Sequence, residues 1–358
     1  MPSVLEYKCP CCNAGINFDS GLQRMKCPYC ETEFDAEALR QFNEVREETH
    51  EQATWEADAA LWEDAGLQGY RCPSCAGELM GDATTAATRC PYCGNPAVLP
   101  AQLGGAFRPD EVIPFKLDKQ AAIAAFGENL KGKRLLPKKF RDENTLGEIT
   151  GVYVPFWLFD CDAGARVSYR ASTTRTWSDS KFQYTKTDHY QLRRAGNASF
   201  ARIPADGSKK MDDAMMDAVE PYDYRELRPF QMTYLSGYLA DRFDVDAKES
   251  SARAERRAAA SMQQSLRGTV GAYGVCNPES EQYWVTGAKA RYALLPVWTL
   301  NCQWKGQNYR FAMNGQTGKF IGELPVDKGR SAAWFFGIFG GVAAIGALLA
   351  LLMGGVVW

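Results

Sequence analysis

Residues 153–161 read YVPFWLFDC and residues 294–302 read LLPVWTLNC. The two stretches share Pro, Trp and Cys at matching places, with similar apolar residues between. Each leads into hairpin-like sequence, DAGARVSY after the first and KGQNYRFAMNG after the second, and IPF at 113–115 echoes the apolar-Pro-apolar start. The pattern reads as two related β units within one fold. Trp157 and Trp298 are then core residues. Cys161 and Cys302 are buried thiols that behave as small hydrophobes.

Around these stretches lie further strand-like runs: VIPFKL (112–117), ARVSYRAS (165–172), KFQYTKTDHYQLRR (181–194), RYALLPVWTLNCQW (291–304) and NYRFAMNG (308–315). Helical patterns fill DKQAAIAAFGENL (118–130), SKKMDDAMMDAVE (208–220) and DAKESSARAERRAAASMQQSL (246–266), with Asp or Ser at each start to cap the free N–H groups. Strands clustered around several helices, without regular βαβ alternation, predict an α+β domain with a mainly antiparallel sheet over 107–330. LPAQLGG places a linker at 99–106.

Upstream, residues 7–30 read YKCPCCNAGINFDSGLQRMKCPYC and residues 70–93 read YRCPSCAGELMGDATTAATRCPYC. Cys9, Cys12, Cys27 and Cys30 have the spacing C-x2-C-x14-C-x2-C, and Cys72, Cys75, Cys90 and Cys93 repeat it 63 residues later. Each CxxC turn presents two thiolates to one side of a knuckle, and two knuckles close a tetrahedron around Zn²⁺. Proline inside each pair stiffens the turn, and Gly94 permits the backbone that follows the last ligand. The expectation is two small-β zinc ribbons, 1–35 and 69–98, with one structural zinc ion each. Cys11 aligns with Ser74 and Cys12 with Cys75, so Cys11 is a bystander. A redox CxxC would need one low-pKa pair rather than four pairs in two matched sets. A catalytic zinc would need an open position, which four thiolates do not leave.

Twelve cysteines would suit a secreted disulfide framework, but MPSVLEYK has no apolar signal core, and eight of the twelve lie in CxxC pairs. A reducing compartment fits better. An apolar fraction of 46% excludes wholesale disorder, and a formal charge of −2 argues against a general polyanion binder. Neither cysteine segment carries a basic stripe, and residues 31–68 hold twelve Asp or Glu against two Arg. That stretch reads as an acidic helical linker over 36–68, with Leu39, Phe42, Trp55, Ala59 and Trp62 spaced to form an apolar docking stripe. Nucleic acid is therefore not the expected partner.

From Ser331 to Trp358 no ionisable side chain occurs, and Lys328 and Arg330 stand just before. One tilted helix of this length crosses a bilayer. Residues 331–358 are expected to be a single-pass anchor, with Trp334 and Trp358 at the two interfaces and the body in the cytoplasm, because the flanking bases lie on the N-terminal side. Gly337 and Gly341 make a GxxxG pair, which leaves a homo-oligomer open.

No nucleophile–base constellation emerges. MNGQTGK (313–319) superficially resembles a phosphate loop but has the wrong glycine spacing, and reads as a turn around Asn314-Gly315 and Gly318. The carboxylates of FDCD (Asp160, Asp162) and EPYDY (Glu220, Asp223) read as loop or capping groups, and His189 as a solvent-facing strand residue. The basic run KGKRLLPKKFR (131–141) reads as a solvated loop, with anionic lipid headgroups as the second reading.

With these residues in hand, the chain resembles a bacterial family of membrane-anchored double-zinc-ribbon proteins that carry TFIIB-type zinc-ribbon or primosomal-helicase-like labels. The resemblance rests on the two cysteine frames, VYVPFWLFD, IPADGSKKMDDAMMDAVEPYDY, FQMTYLSGYLADRFDVD, LLPVW, FAMNGQTGKFIGELP and the apolar tail. It implies association with PspA-like and SPFH-type membrane proteins during envelope stress. Together these readings describe a non-enzymatic, tail-anchored adaptor at the cytoplasmic face of a bacterial membrane. The rival is a membrane-tethered nucleic-acid-binding protein.

Overall fold

The computed structural model describes residues 7–12, 14–39, 67–71, 78–82, 84–89, 96–99, 103 and 107–354. In chain order the strands are β1 (Asn17–Asp19), β2 (Arg24–Lys26), β3 (Glu33–Phe34), β4 (Leu67–Arg71), β5 (Glu78–Asp82), β6 (Thr85–Arg89), β7 (Pro96–Val98) and β8 (Glu111–Val112). Helices α1 (Lys119–Leu130) and α2 (Glu143–Gly147) precede the long strands β9 (Thr150–Ser178) and β10 (Gln183–Asp206). Then come α3 (Asp213–Val219), β11 (Arg228–Pro229), β12 (Leu239–Asp241), α4 (Ala247–Gly268), β13 (Val275–Trp304), β14 (Gln307–Asn314), β15 (Phe320–Gly322) and α5 (Lys328–Gly354). The architecture is mixed α and β with mainly antiparallel sheets.

β9 and β13 form the spine, antiparallel from Thr150 opposite Thr299 to Ser172 opposite Val275. The two sequence-matched stretches face each other there. Val154 stands opposite Leu295, its own counterpart, while Tyr153 faces Pro296 and Pro155 faces Leu294, so exchanging the stretches maps the pairing onto itself. The flanking strands follow suit. β12 runs parallel to β9 at Val152 and Tyr153, and β8 runs parallel to β13 at Ala293 and Leu294. β10 folds back on β9, and β14 on β13.

Three strand expectations change. DAGARVSY (162–169) is no hairpin: β9 runs straight through it and turns back only after Ser178. VIPFKL keeps only Val112 in a strand: Pro114 has no N–H to give, and the amides of Lys116 and Leu117 turn to the Gly315 carbonyl (3.0 and 3.1 Å). Conversely, residues 275–290 extend β13 although their sequence is polar and broken. The pairing bulges where Pro278 and Gly287 (φ +65°) interrupt it, and β9 supplies the partner that local pattern cannot announce. Asp118 and Asp246 cap their helices as expected, accepting the amides of Ala121 and Glu249 at 2.6 and 2.7 Å. The middle helix starts later than its run and is capped by Asp212, not Ser208, through the Met215 amide at 2.9 Å.

Phe115 sits at the centre of the main core, stacked on Tyr238 at 4.1 Å and edge-on to Tyr153 and Trp298 at 5.0 and 5.1 Å. Trp298 is buried and Trp157 half-buried, and their indole N–H groups donate to the carbonyls of Leu117 and Val245. A second core forms where α4 lays Ala254, Ala258, Met262 and Leu266, spaced by four, over Phe159, Ala163, Ala165, Val167 and Tyr169 of β9. Arg253 and Arg257 tie α4 to Asp206, Asp217 and Glu220.

Past this helix the strands run on as an arm. At its tip Trp177, Phe182 and Tyr184 are exposed, with Trp177 stacked on Tyr184 at 5.6 Å. The alternation that sets these aromatics opposite His189 is real, but both faces of the tip are exposed, because no element among the described residues covers it. Removing the central ring should be costly: Phe115→Ala is expected to lower unfolding stability by about 3–5 kcal/mol in denaturant titration. Gly151→Ala, whose new methyl would lie 2.7 Å from the Tyr238 ring, should cost about 1–3 kcal/mol.

Candidate metal centre

The first cysteine frame folds as two knuckles. In one, the Cys9 amide donates to the Ala14 carbonyl (2.8 Å) and the Cys11 amide reaches the Cys9 sulfur (3.4 Å). In the other, the Cys27 amide donates to Thr32 O and the Glu31 amide to Cys27 O, both at 3.0 Å. Glu31 takes φ +57°, at the place where the second frame has Gly94.

These turns bring four sulfurs together. Cys9 and Cys30 are 3.5 Å apart, Cys12 and Cys27 are 3.4 Å apart, and all four lie within 4.8 Å of one another. Four sulfurs about 2.3 Å from a shared ion would be about 3.8 Å from each other in a tetrahedron, so the group can hold a metal ion. Cys11 is exposed and outside the group. Cys72, Cys75, Cys90 and Cys93 lie outside the described residues, as do Phe42, Trp55, Ala59 and Trp62 of the acidic segment. Leu39 is buried.

The four thiols are not equivalent. Burial pushes Cys9 up to about 12, whereas the Thr32 hydroxyl, 3.2 Å from the sulfur, and the Thr32 amide draw Cys30 down to about 6.

The body holds this module through its backbone. The Ser236 hydroxyl donates to the Ile16 carbonyl (2.6 Å), the Phe18 amide donates to the Ser236 carbonyl (3.1 Å), and Gln23 reaches the Phe115 carbonyl (2.6 Å). Phe18 meets Tyr234 edge-on at 5.1 Å, and Ile16, Phe18, Met25 and Cys27 join the main core. Sequence reading did not single out Ser236, Thr32 or Gln23. The Ser236-Gly237 turn after an apolar run was the available signal, since Gly237 (φ +93°) packs against Asn17. Of the second frame's span, β4 pairs with β5, while β6 joins the large sheet through β12, Ala87 opposite Ala240.

The remaining candidates do not assemble. Asp160 accepts from Arg202 N–H and Arg291 (2.7 and 2.8 Å), Asp162 from Ser199 (2.6 Å), and Glu220 pairs with Arg257. Arg225, 2.7 Å from Asp223, holds that carboxyl down at about 2. A cleft of about 610 Å³ beside β12 and β14 contains the Lys210–Asp241 pair, and Asp160, Glu220 and Asp223 do not line it. His189 is exposed. Burial raises the thiols of Cys161 and Cys302, which keeps them protonated. MNGQTGK is a turn: Asn314 accepts the amides of Gln316 and Thr317 (2.9 Å each), and Gly318 takes φ +76°.

At the other end of the chain α5 is apolar, exposed along its described length from Ala332 to Leu349, and long enough to cross a membrane. The molecule is thus an α+β protein with a four-thiol site that can bind metal and a C-terminal helix that can span a bilayer. It is similar to a protein described as Uncharacterized protein YdjG, from Bacillus subtilis (strain 168), with 34% identity over 352 residues covering 98% of this chain and 99% of that one. The chain belongs to the YdjG family. No family model matches it, and no solved structure matches it.

Cys12→Ser should lower the bound-metal stoichiometry by one ion per chain. Affinity for added Zn²⁺ should fall at least about tenfold for each unit of pH lowered from 8 to 6, because protons compete for the thiolates. Ser236→Ala, which leaves the Ile16 carbonyl unpaired against the body, should cost about 1–3 kcal/mol without changing metal content.

Proposed function

We propose that this chain is a non-enzymatic, membrane-anchored zinc-ribbon scaffold that displays a protein-binding surface on the cytoplasmic side of the cell membrane. Zinc suits a closed tetrahedral set of four thiolates, and with no open position its role would be structural. The second cysteine frame, Cys72, Cys75, Cys90 and Cys93, would hold a second ion. α5 is the anchor, and the bases at its N-terminal end favour a cytoplasmic body.

The observation that carries the reading is Tyr29. It lies inside the Cys27–Cys30 knuckle, is 81% exposed, and stands on a module whose other side is sealed into the body core. An exposed tyrosine on a packed module is the kind of group that anchors a protein interface. The second frame carries Tyr92 at the same place. The absence of a basic stripe on either frame favours a protein partner over nucleic acid. The family resemblance stated above names PspA-like and SPFH-type membrane proteins as the partners.

The test is affinity capture with the detergent-solubilised full chain, with and without nuclease. Nuclease-resistant capture of a PspA-like or SPFH-type protein is expected, reduced at least tenfold by Tyr29→Ala with zinc content unchanged. Recovery of nucleic acid, with protein capture lost after nuclease, would make the nucleic-acid-binding reading the correct one.

A further inference from the structure

The basic run at 131–141 is almost two hundred residues upstream of the apolar helix, yet three contacts bring it to the helix's foot. The Asp327 amide donates to the Leu135 carbonyl (2.9 Å), the Arg330 guanidinium donates to the Leu136 carbonyl (2.8 Å), and the Arg134 guanidinium lies 4.9 Å from the centre of the Trp334 ring. The two hydrogen bonds of this fastening use carbonyl oxygens of the loop.

Depth follows from helix geometry. Trp334 is six residues past Lys328, a rise of about 9 Å. One headgroup layer is roughly 5–8 Å thick. Immediately beyond Trp334, Phe335, Phe336, Ile338 and Phe339 are all exposed apolar side chains. With α5 in a bilayer, Trp334 lies at the interface and Arg134 is held at headgroup depth beside it. Lys131, Lys133 and Lys138 are exposed on the same loop, and Lys328 and Arg330 belong to the first helical turn. Acidic groups alongside offset part of this charge, and exposed Asp142 follows the loop in sequence. Glu128 pairs with Lys131 (2.9 Å), and Asp327 accepts the amides of Gly329 and Arg330 at the helix start (2.9 and 3.4 Å). Lys139 points away, to the Gln303 carbonyl (2.7 Å).

We propose that the 131–138 loop and the first turn of α5 form one cationic collar that binds the phosphate headgroups of anionic phospholipid in the leaflet the helix enters. This rests on the reading of α5 as membrane-spanning. A lipid phosphate fits better than a soluble polyanion because the collar's cations sit at the boundary where the apolar helix begins. A soluble ligand would have to enter the headgroup layer to reach Arg134.

The full chain would be reconstituted into phosphatidylcholine vesicles containing trace spin-labelled phosphatidylglycerol or phosphatidylcholine, and the motionally restricted lipid measured. The wild-type chain should prefer the anionic probe by at least about fivefold, one well-placed base's worth. The preference should shrink as salt is raised from 50 to 500 mM. The triple variant Lys131→Gln, Lys133→Gln, Lys138→Gln should fall to within twofold of no preference, with zinc content and far-UV dichroism unchanged. Equal preference in the variant and the wild-type chain, or none in either, overturns the collar while leaving the anchor intact. Loss of preference on adding inorganic phosphate at matched ionic strength would assign the site to soluble phosphate and also overturns it. If neither probe shows restricted lipid, α5 is not in the bilayer, and the anchor reading fails with the collar.

Discussion

β9 and β13 exchange backbone hydrogen bonds along most of their length, and each neighbouring element takes its position from that pair. β12 and β8 can run parallel to them only where Val152–Tyr153 and Ala293–Leu294 leave an edge free. β10 and β14 return along the opposite stretches of the same two strands. Phe115 is trapped beside the centre of this pairing, against Tyr153 from one strand and Trp298 from the other. The near-symmetric register around Val154 and Leu295 gives each strand the same three kinds of neighbour.

That spine has two ends with different surroundings. At the Thr150 and Trp304 end, Phe140 packs on Trp304 and Tyr309, and the loop carrying it is fastened to the start of α5. At the other end the arm leaves the body with its aromatic tip bare. A 29-residue strand would reach roughly 90 Å if straight. The four-thiol module sits nearer the foot, because Ser236 and Tyr234 lie just before β12, which is locked to β9 at Tyr153.

The cysteine module depends on that seat in turn. Its own strands are two or three residues long, too short to bury a core of their own. Ile16, Phe18 and Met25 are buried because the body covers them. Cys9 and Cys27 are sealed on that side, while Cys12 and Cys30 face water. Burial raises the Cys9 thiol, and hydrogen bonds from Thr32 lower that of Cys30.

Local pattern was enough for the features whose cause is local. CxxC spacing closes a knuckle whatever surrounds it, an Asp before a helical run caps that run, and a long stretch without charge has few homes outside a bilayer. The matched YVPFWLFDC and LLPVWTLNC stretches announced strands in the same way. Features created by partners distant in the chain were not legible. The polar stretch 275–290 is a strand because β9 offers it hydrogen bonds, and IPFKL stops being one because Gly315 captures its amides. Ser236 became the seat of the cysteine module because Ile16 and Phe18 present unpaired backbone groups to it. The run at 131–141 keeps its lysines in solvent, but its place at the foot of α5 is decided by the bonds that Asp327 and Arg330 make to the Leu135 and Leu136 carbonyls. A side chain's spacing along the chain reports its neighbours within a few residues, whereas backbone groups that must find partners across the fold are decided only when the whole chain has packed.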